Sequence, residues 1–184
     1  MDLLMGLPDN EWYTPARYVD AAREVMGGID LDPASCQEAN QEVQAAHYYT
    51  MQENGLDQPW YGRVWLNPPY NPTDGPRFPQ PAWSRKLRRE YQIGNVDQAV
   101  LLVSAAINKK WLHELFDYPV CLMLERIKFV RPGKAPEELR HGNIVIYLGP
   151  HEQKFSEVFH PFGRVMKAID GPKSVPLYRE LWTA

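Results

Sequence analysis

The chain has 184 residues, a formal net charge of −3, and 44% hydrophobic against 23% charged residues, which fits one globular domain and excludes a disordered chain. No apolar run approaches the roughly 20 residues of a bilayer span, and no basic leader precedes a long apolar stretch, so the expectation is a cytoplasmic protein with no membrane role. The charge is uneven: residues 1–76 carry −9 and residues 77–134 carry +6, and a basic middle behind an acidic first third raises the question of a polyanionic partner.

Residues 15–27 read as a first helix, with Thr14 as its cap, Pro15 in the first helical position and Gly27-Gly28 at its end. A short strand at 29–31 runs into Asp32-Pro33, and 36–47 reads as a second helix. Residues 62–66 read as a buried strand that stops abruptly at Asn67-Pro68-Pro69-Tyr70. An amphipathic helix follows at 82–93, with Trp83, Leu87 and Tyr91 on one face. Arg85, Arg88 and Arg89 form a stripe on the other, with Lys86 beside it. The continuous apolar run at 98–105 suits a strand covered on both sides. A helix at 109–117, strands at 119–124 and 142–148, a helix at 152–160 and a last strand at 163–169 complete the pattern. This alternation predicts an α/β fold over residues 1–184, a mostly parallel sheet with helices on both faces. Seven of the 17 prolines fall between positions 59 and 81, which predicts an ordered loop over 71–81 rather than a linker between domains.

Cys36 and Cys121 are the only cysteines, and the five histidines lack metal-site spacing, so no disulfide framework and no bound metal are expected.

Ligands of such sheets sit beyond the carboxyl ends of the strands. Two predicted strands end in unusual chemistry there, one at Asp30-Leu31-Asp32-Pro33-Ala34 and one at Asn67-Pro68-Pro69-Tyr70. Successive prolines fix two φ angles and remove two N–H donors, which leaves nearby carbonyls free to accept from a ligand. Asn67 adds a side-chain carbonyl and Tyr70 a flat ring. Two convergent acceptors beside a stacking surface suit an amino group on a planar ring. Holding both its N–H bonds favours a more pyramidal nitrogen, whose lone pair can meet an electrophile.

Asn67-Pro68-Pro69-Tyr70 after a strand resembles the catalytic motif of amino methyltransferases. The ordered series Glu11-Trp12-Tyr13-Thr14-Pro15, Asp30-Leu31-Asp32-Pro33-Ala34-Ser35, Tyr48-Tyr49-Thr50, Asn54-Gly55-Leu56-Asp57, Trp60-Tyr61-Gly62 and Asn67-Pro68-Pro69-Tyr70 is similar to the phage and prophage family of DNA N6-adenine methyltransferases. The resemblance covers about residues 11–148. It implies a compact Rossmann-like methyltransferase fold, S-adenosyl-L-methionine as cofactor and double-stranded DNA as substrate, with no metal. It also implies that the target adenine is flipped out of the duplex.

By that resemblance, Asn67 and the Pro68 carbonyl accept from the adenine N6 amino group, Pro69 stiffens the turn, and Tyr70 stacks on the base. Trp12, Thr14, Pro15, Asp30, Asp32, Pro33 and Ala34 line the cofactor pocket, where a carboxylate at the strand end accepts from the cofactor's α-amino group. Leu56 and Asp57 contact its adenine. Arg77, Arg85, Lys86, Arg88, Arg89, Lys128 and Arg131 meet phosphate. The chain departs from the wider methyltransferase pattern, since Pro33-Ala34-Ser35 replaces a glycine-rich turn and only 34 positions separate Pro33 from Asn67. That spacing leaves open which carboxylate holds the cofactor ribose. The tetrapeptide chemistry also suits cytosine N4, an RNA base or a protein glutamine, and a DNA-binding module without catalysis is the alternative of another class.

Overall fold

In the computed structural model, the residues described are 12–69, 80–131, 134–138 and 142–169. The first helix, α1, spans Ala16–Met26 and buries Tyr18, Val19, Ala22, Val25 and Met26. It ends at Gly27, whose φ of 77° is left-handed and whose N–H returns to the Arg23 carbonyl. Pro15 stands at the cap position itself, and no side chain caps the helix. The expected Thr14 cap is therefore replaced by another contact of that hydroxyl, described below.

The remaining elements follow as β1 (Leu31–Asp32), α2 (Gln37–Val43), β2 (His47–Tyr48), β3 (Gly62–Leu66), α3 (Gln80–Gln92) and β4 (Val96–Ser104). After these come α4 (Lys110–His113), β5 (Val120–Met123), β6 (Lys128–Arg131), β7 (Lys134–Glu138), β8 (Asn143–Leu148), α5 (Glu152–Phe159) and β9 (Gly163–Met166). Two differences from the expected elements have clear causes. The helix expected over 109–117 stops after one turn, because the N–H groups of Leu115, Phe116 and Tyr118 reach back three residues instead of four. The hairpin of β6 and β7 escapes a periodicity reading because only Phe129 is buried between exposed Lys128 and Val130, and Pro136 interrupts β7.

Seven strands form one sheet in the order β2-β1-β3-β4-β8-β5-β9. The pairs β2–β1, β1–β3 and β3–β4 are parallel, whereas β8 is antiparallel to both of its neighbours and β9 to β5. Five strands thus share one direction and two run against it, so the expected parallel bias holds on one side of the sheet only. Side chains alternate between two apolar layers. Val100 and Leu102 of β4 join Trp65, Val145, Tyr147 and the helices α1, α2 and α5 on one face. Ala99, Leu101 and Val103 join Leu66, Ile144, Ile146 and the helices α3 and α4 on the other. Helices on both faces were expected, and the two layers place them there.

Parallel register sets Leu31 opposite Val64 and Leu66 opposite Leu101. The carboxyl ends of β1 and β3 are therefore adjacent, which brings Asp32-Pro33-Ala34 beside Asn67-Pro68-Pro69. At the amino ends of the same strands, Asp30 and Arg63 lock the pair from below. Arg63 Nε and Nη2 donate to the two carboxylate oxygens at 2.8 and 2.7 Å, and the Arg63 N–H adds a third bond at 2.8 Å. This two-pronged pairing holds the Asp30 carboxyl below the usual carboxylate range, chiefly through its hydrogen bond to Arg63. Both side chains are partly open to solvent, so the pair is a modest contributor. Asp30→Asn is expected to lower unfolding free energy by about 1 kcal/mol at neutral pH. The deficit should vanish as acid protonates the wild-type carboxyl. Urea unfolding at pH 7 and pH 3 measures both.

Candidate functional site

A cavity of about 190 Å³ opens at the joined carboxyl ends of β1 and β3. Trp12, Tyr13 and Thr14 form one wall, Asp32 to Cys36 another, and Asn67, Pro68 and Pro69 a third. Ala39, Val43 and Trp65 supply an apolar floor, and Thr50, Met51, Asn54 and Gly55 with Trp83 close the remaining side.

Asn67 is held by the N-terminal segment. Its Nδ2 donates to the Trp12 carbonyl at 3.3 Å and to Thr14 Oγ1 at 3.1 Å. Both amide protons are thereby used, which settles which end of the carboxamide is the oxygen. Asn67 Oδ1 is shielded from water and has no hydrogen-bond partner among the described residues. An unpaired buried acceptor is costly, and a donor supplied by a ligand would relieve it.

The N-terminal segment is fixed in turn. Tyr13 and Val130 exchange two backbone hydrogen bonds at 2.9 Å, so residue 13 bridges to the β6–β7 hairpin. Trp12 meets Phe129 edge to face with ring centroids 6.2 Å apart, and Phe129 is fully buried. The hairpin thus stands behind the wall that orients Asn67.

Asp32 is 3% exposed. Burial pushes its carboxyl up to about 7, and the hydrogen bond from the Ala34 N–H and the nearby Ser35 hydroxyl oppose this only in part. Near neutral pH the side chain therefore sits at the edge between acid and carboxylate, inside a cavity wall.

The cavity gathers Trp12, Thr14, Asp32, Pro33, Ala34, Asn67, Pro68 and Pro69 from the expected site residues. It does not gather Asp30, whose carboxylate is committed to Arg63 at the other end of the strands. The carboxyl that reaches the cavity is that of Asp32, because a strand end presents its last residue and Asp30 precedes β1. Pro15 begins α1 instead of facing the cavity. Leu56 packs into the apolar layer around α3, and Asp57 binds the Asn54 amide, so Asn54 and Gly55 take the wall position expected for that pair. Asn54 carried a signal in the sequence, since it opens the Asn54-Gly55-Leu56-Asp57 motif. Trp65 and Trp83 carried none beyond their hydrophobicity. Tyr70 and Arg77 lie outside the described residues.

The basic residues divide as well. Arg88 pairs with Glu114 at 2.8 Å, and Lys86 pairs with Glu90 at 3.5 Å while lying 5.3 Å from the Trp60 ring centre. Arg85 and Arg89, one turn apart on α3, stay exposed, as does Lys128 on β6. Arg131 falls at the end of β6. Among the described residues, no group of three or more His, Cys, Asp or Glu side chains could hold a metal ion, and no helix is long and apolar enough to cross a membrane.

The family model described as DNA N-6-adenine-methyltransferase (Dam) matches residues 7–158, well over half of the chain. No curated protein and no solved structure matches it.

The Asp32 shift has a measurable consequence. An acid whose folded value lies above its unfolded value, near 4, stabilises the fold fully below the unfolded value. That contribution is lost as pH rises through the folded value. Wild-type stability is expected to fall between about pH 4 and about pH 7 and to level off above. Asp32→Asn should flatten this slope and be the more stable protein at pH 8. Urea midpoints at pH 5 and pH 8 for both proteins test it, and parallel slopes would overturn the assignment.

Proposed function

The chain belongs to the DNA N-6-adenine-methyltransferase (Dam) family, whose chemistry is methylation of adenine N6 in DNA, and from that premise we propose that its cavity takes S-adenosyl-L-methionine together with a flipped adenine. The observation that carries this reading is Asn67 Oδ1, an oriented acceptor at the end of β3 with no hydrogen-bond partner among the described residues. The strand reversal at β8 and the helices on both faces are compatible with a Rossmann-like methyltransferase fold.

The residues present fit this cofactor. An apolar lining suits its purine, a wall carboxyl suits its ammonium, and Asn67, whose Oδ1 has no hydrogen-bond partner among the described residues, stands in the same wall as Pro68. When bound, S-adenosyl-L-methionine supplies an electrophilic methyl group on a sulfonium centre. Asp32, Pro33 and Ala34 hold the cofactor at the end of β1. An ammonium beside Asp32 favours its ionised form, so Asp32 gives up its proton as the cofactor binds. Asn67 Oδ1 and the Pro68 carbonyl accept the two N–H bonds of the adenine amine and turn its lone pair outward. Tyr70 stacks on the base. Trp12 and Thr14 act through Asn67, because their oxygens hold its carboxamide in the accepting orientation. Alignment supplies the main rate gain in such a transfer.

Phosphate contacts in this reading fall to Arg85, Arg89 and Lys128, which are exposed, and to Arg77 and Arg131 from the sequence pattern, whereas Arg88 and Lys86 are already answered by Glu114 and Glu90. The protein works in the host cytoplasm in this reading.

Incubation with unmethylated DNA and cofactor, followed by nucleoside mass spectrometry, is expected to yield N6-methyladenine. Asn67→Ala should lower the rate at least about 100-fold, the scale of removing one well-placed polar group. N4-methylcytosine as product would select the cytosine reading, and no product at all would leave a binding module. DNA binding measured against salt gives a separate check. Neutralising Arg85 and Arg89 together should reduce the slope of log affinity on log salt by about 2. Neutralising Arg88 should leave the slope unchanged.

A further inference from the structure

The loop after β4 carries a large apolar side chain that the fold leaves uncovered. Ile107 is 60% exposed, and the next three residues, Asn108, Lys109 and Lys110, are exposed as well. No acidic residue falls between Asp97 and Glu114, so the loop is a locally positive surface with an apolar tip. We propose that Ile107 is the wedge that enters the base stack of the duplex as the target base leaves it. The inference rests on the reading of this protein as a base-flipping DNA methyltransferase.

The loop stands on the rim where the cavity opens. β4 lies directly beside β3 in parallel, with Leu66 opposite Leu101, and Pro69 and Ser104 each follow that pair by three positions. The loop therefore leaves the sheet at about the level of the Asn67-Pro68-Pro69 wall. Ser104 Oγ donates to Gln80 Oε1 at 2.9 Å, which sets the first residue of α3 against the end of β4. Trp83, three residues further along α3, lines the cavity. Loop, helix start and cavity are thus neighbours at the carboxyl ends of the strands. The helices α3 and α4 cover the same face of the sheet, and the Arg88–Glu114 bond at 2.8 Å joins α3 to the segment after α4. Lys109 and Lys110 therefore add to the exposed Arg85 and Arg89 on that side.

A wedge must hold its place when it meets the stack, and this turn is braced. The Ala105 N–H donates to the Gly142 carbonyl at 2.7 Å, the Ala106 N–H to the Ser104 carbonyl at 2.8 Å, and the Lys109 N–H to the Ala106 carbonyl at 2.9 Å. His113 Nε2 donates to the Ile107 carbonyl at 2.6 Å. The backbone of Ile107 is held while its side chain stays in solvent. An aliphatic group so placed gains apolar cover when bases close around it, and a base leaving the duplex opens a gap of that kind. The ammonium groups of Lys109 and Lys110 then meet nearby phosphates. Leu124, at the carboxyl end of β5, is more exposed still at 78%, but it lies two strands from β4 and next to Glu125. It serves as the control.

Methylation of unmethylated genomic DNA, read by sequencing, first supplies a target site. Two synthetic duplexes carrying that site are then compared, one with the target base paired and one with an abasic position opposite it, where flipping leaves no partner base behind. Ile107→Ser is expected to lower the single-turnover methylation rate on the paired duplex at least about tenfold, and on the abasic duplex less than about twofold. Ile107→Leu should restore the wild-type rate on the paired duplex, and Leu124→Ser should leave it unchanged. Because Ile107 is exposed, the serine variant should keep its melting temperature to within about 2 °C. Equal losses on the two duplexes overturn the wedge, because a misfolded or generally weakened protein would show them. No loss on the paired duplex overturns it as well. If the wild-type protein methylates no base in DNA, the methyltransferase reading itself falls, a result distinct from an active enzyme indifferent to the Ile107 side chain.

Discussion

Asn67 can present only one end of its carboxamide to the cavity, and the Trp12 carbonyl and Thr14 hydroxyl decide which. With both protons consumed, the oxygen is left as an acceptor with no hydrogen-bond partner among the described residues. Much of the surrounding structure serves this constraint. The segment before α1 must pass close to the end of β3, so it is pinned to β6 by the Tyr13–Val130 bridge and by the Trp12–Phe129 contact. Pro15 then starts the helix in place of a side-chain cap, because the Thr14 hydroxyl is already engaged with Asn67. A hairpin nearly sixty positions beyond the motif thereby bears on the orientation of one amide.

Part of the charge in this protein is answered by internal ion pairs. Asp30 with Arg63, Arg88 with Glu114 and Lys86 with Glu90 are matched pairs. Among the described residues Asp32 is a buried carboxyl with no ion pair, and burial raises its proton affinity until it stands near neutral pH. A group in that state responds to any positive charge brought beside it. The acidic first third of the chain therefore contains two aspartates, two positions apart, with opposite fates. One is lowered by an arginine at the amino end of the strands, and the other is raised by desolvation at the carboxyl end.

The same division limits what a linear reading of charge can deliver. Arg85, Arg88 and Arg89 are neighbours on one helix face by spacing alone. Which of them remains available depends on Glu114, which arrives from beyond β4 and α4. Likewise, the turn geometry at Asn54 and Gly55 places that pair, and not Leu56 and Asp57 of the same motif, in the cavity wall. A tight turn rotates successive side chains through large angles, so two positions in sequence become a change of side in space.

Sequence alone determined the long strands at the sheet centre, since their runs of apolar residues are too continuous for anything but coverage on both faces. It also determined the α/β alternation and the placement of the two chemically unusual strand ends. Only the tertiary structure decided that Asp32 and not Asp30 faces the cavity, that β8 and β9 run against the other strands, and that the β6–β7 hairpin supports the N-terminal segment. The physical reason is common to all three. Local pattern follows from the preferences of neighbouring residues, whereas strand direction, burial of a carboxylate and hairpin docking depend on segments distant in the chain, whose identity no local periodicity records.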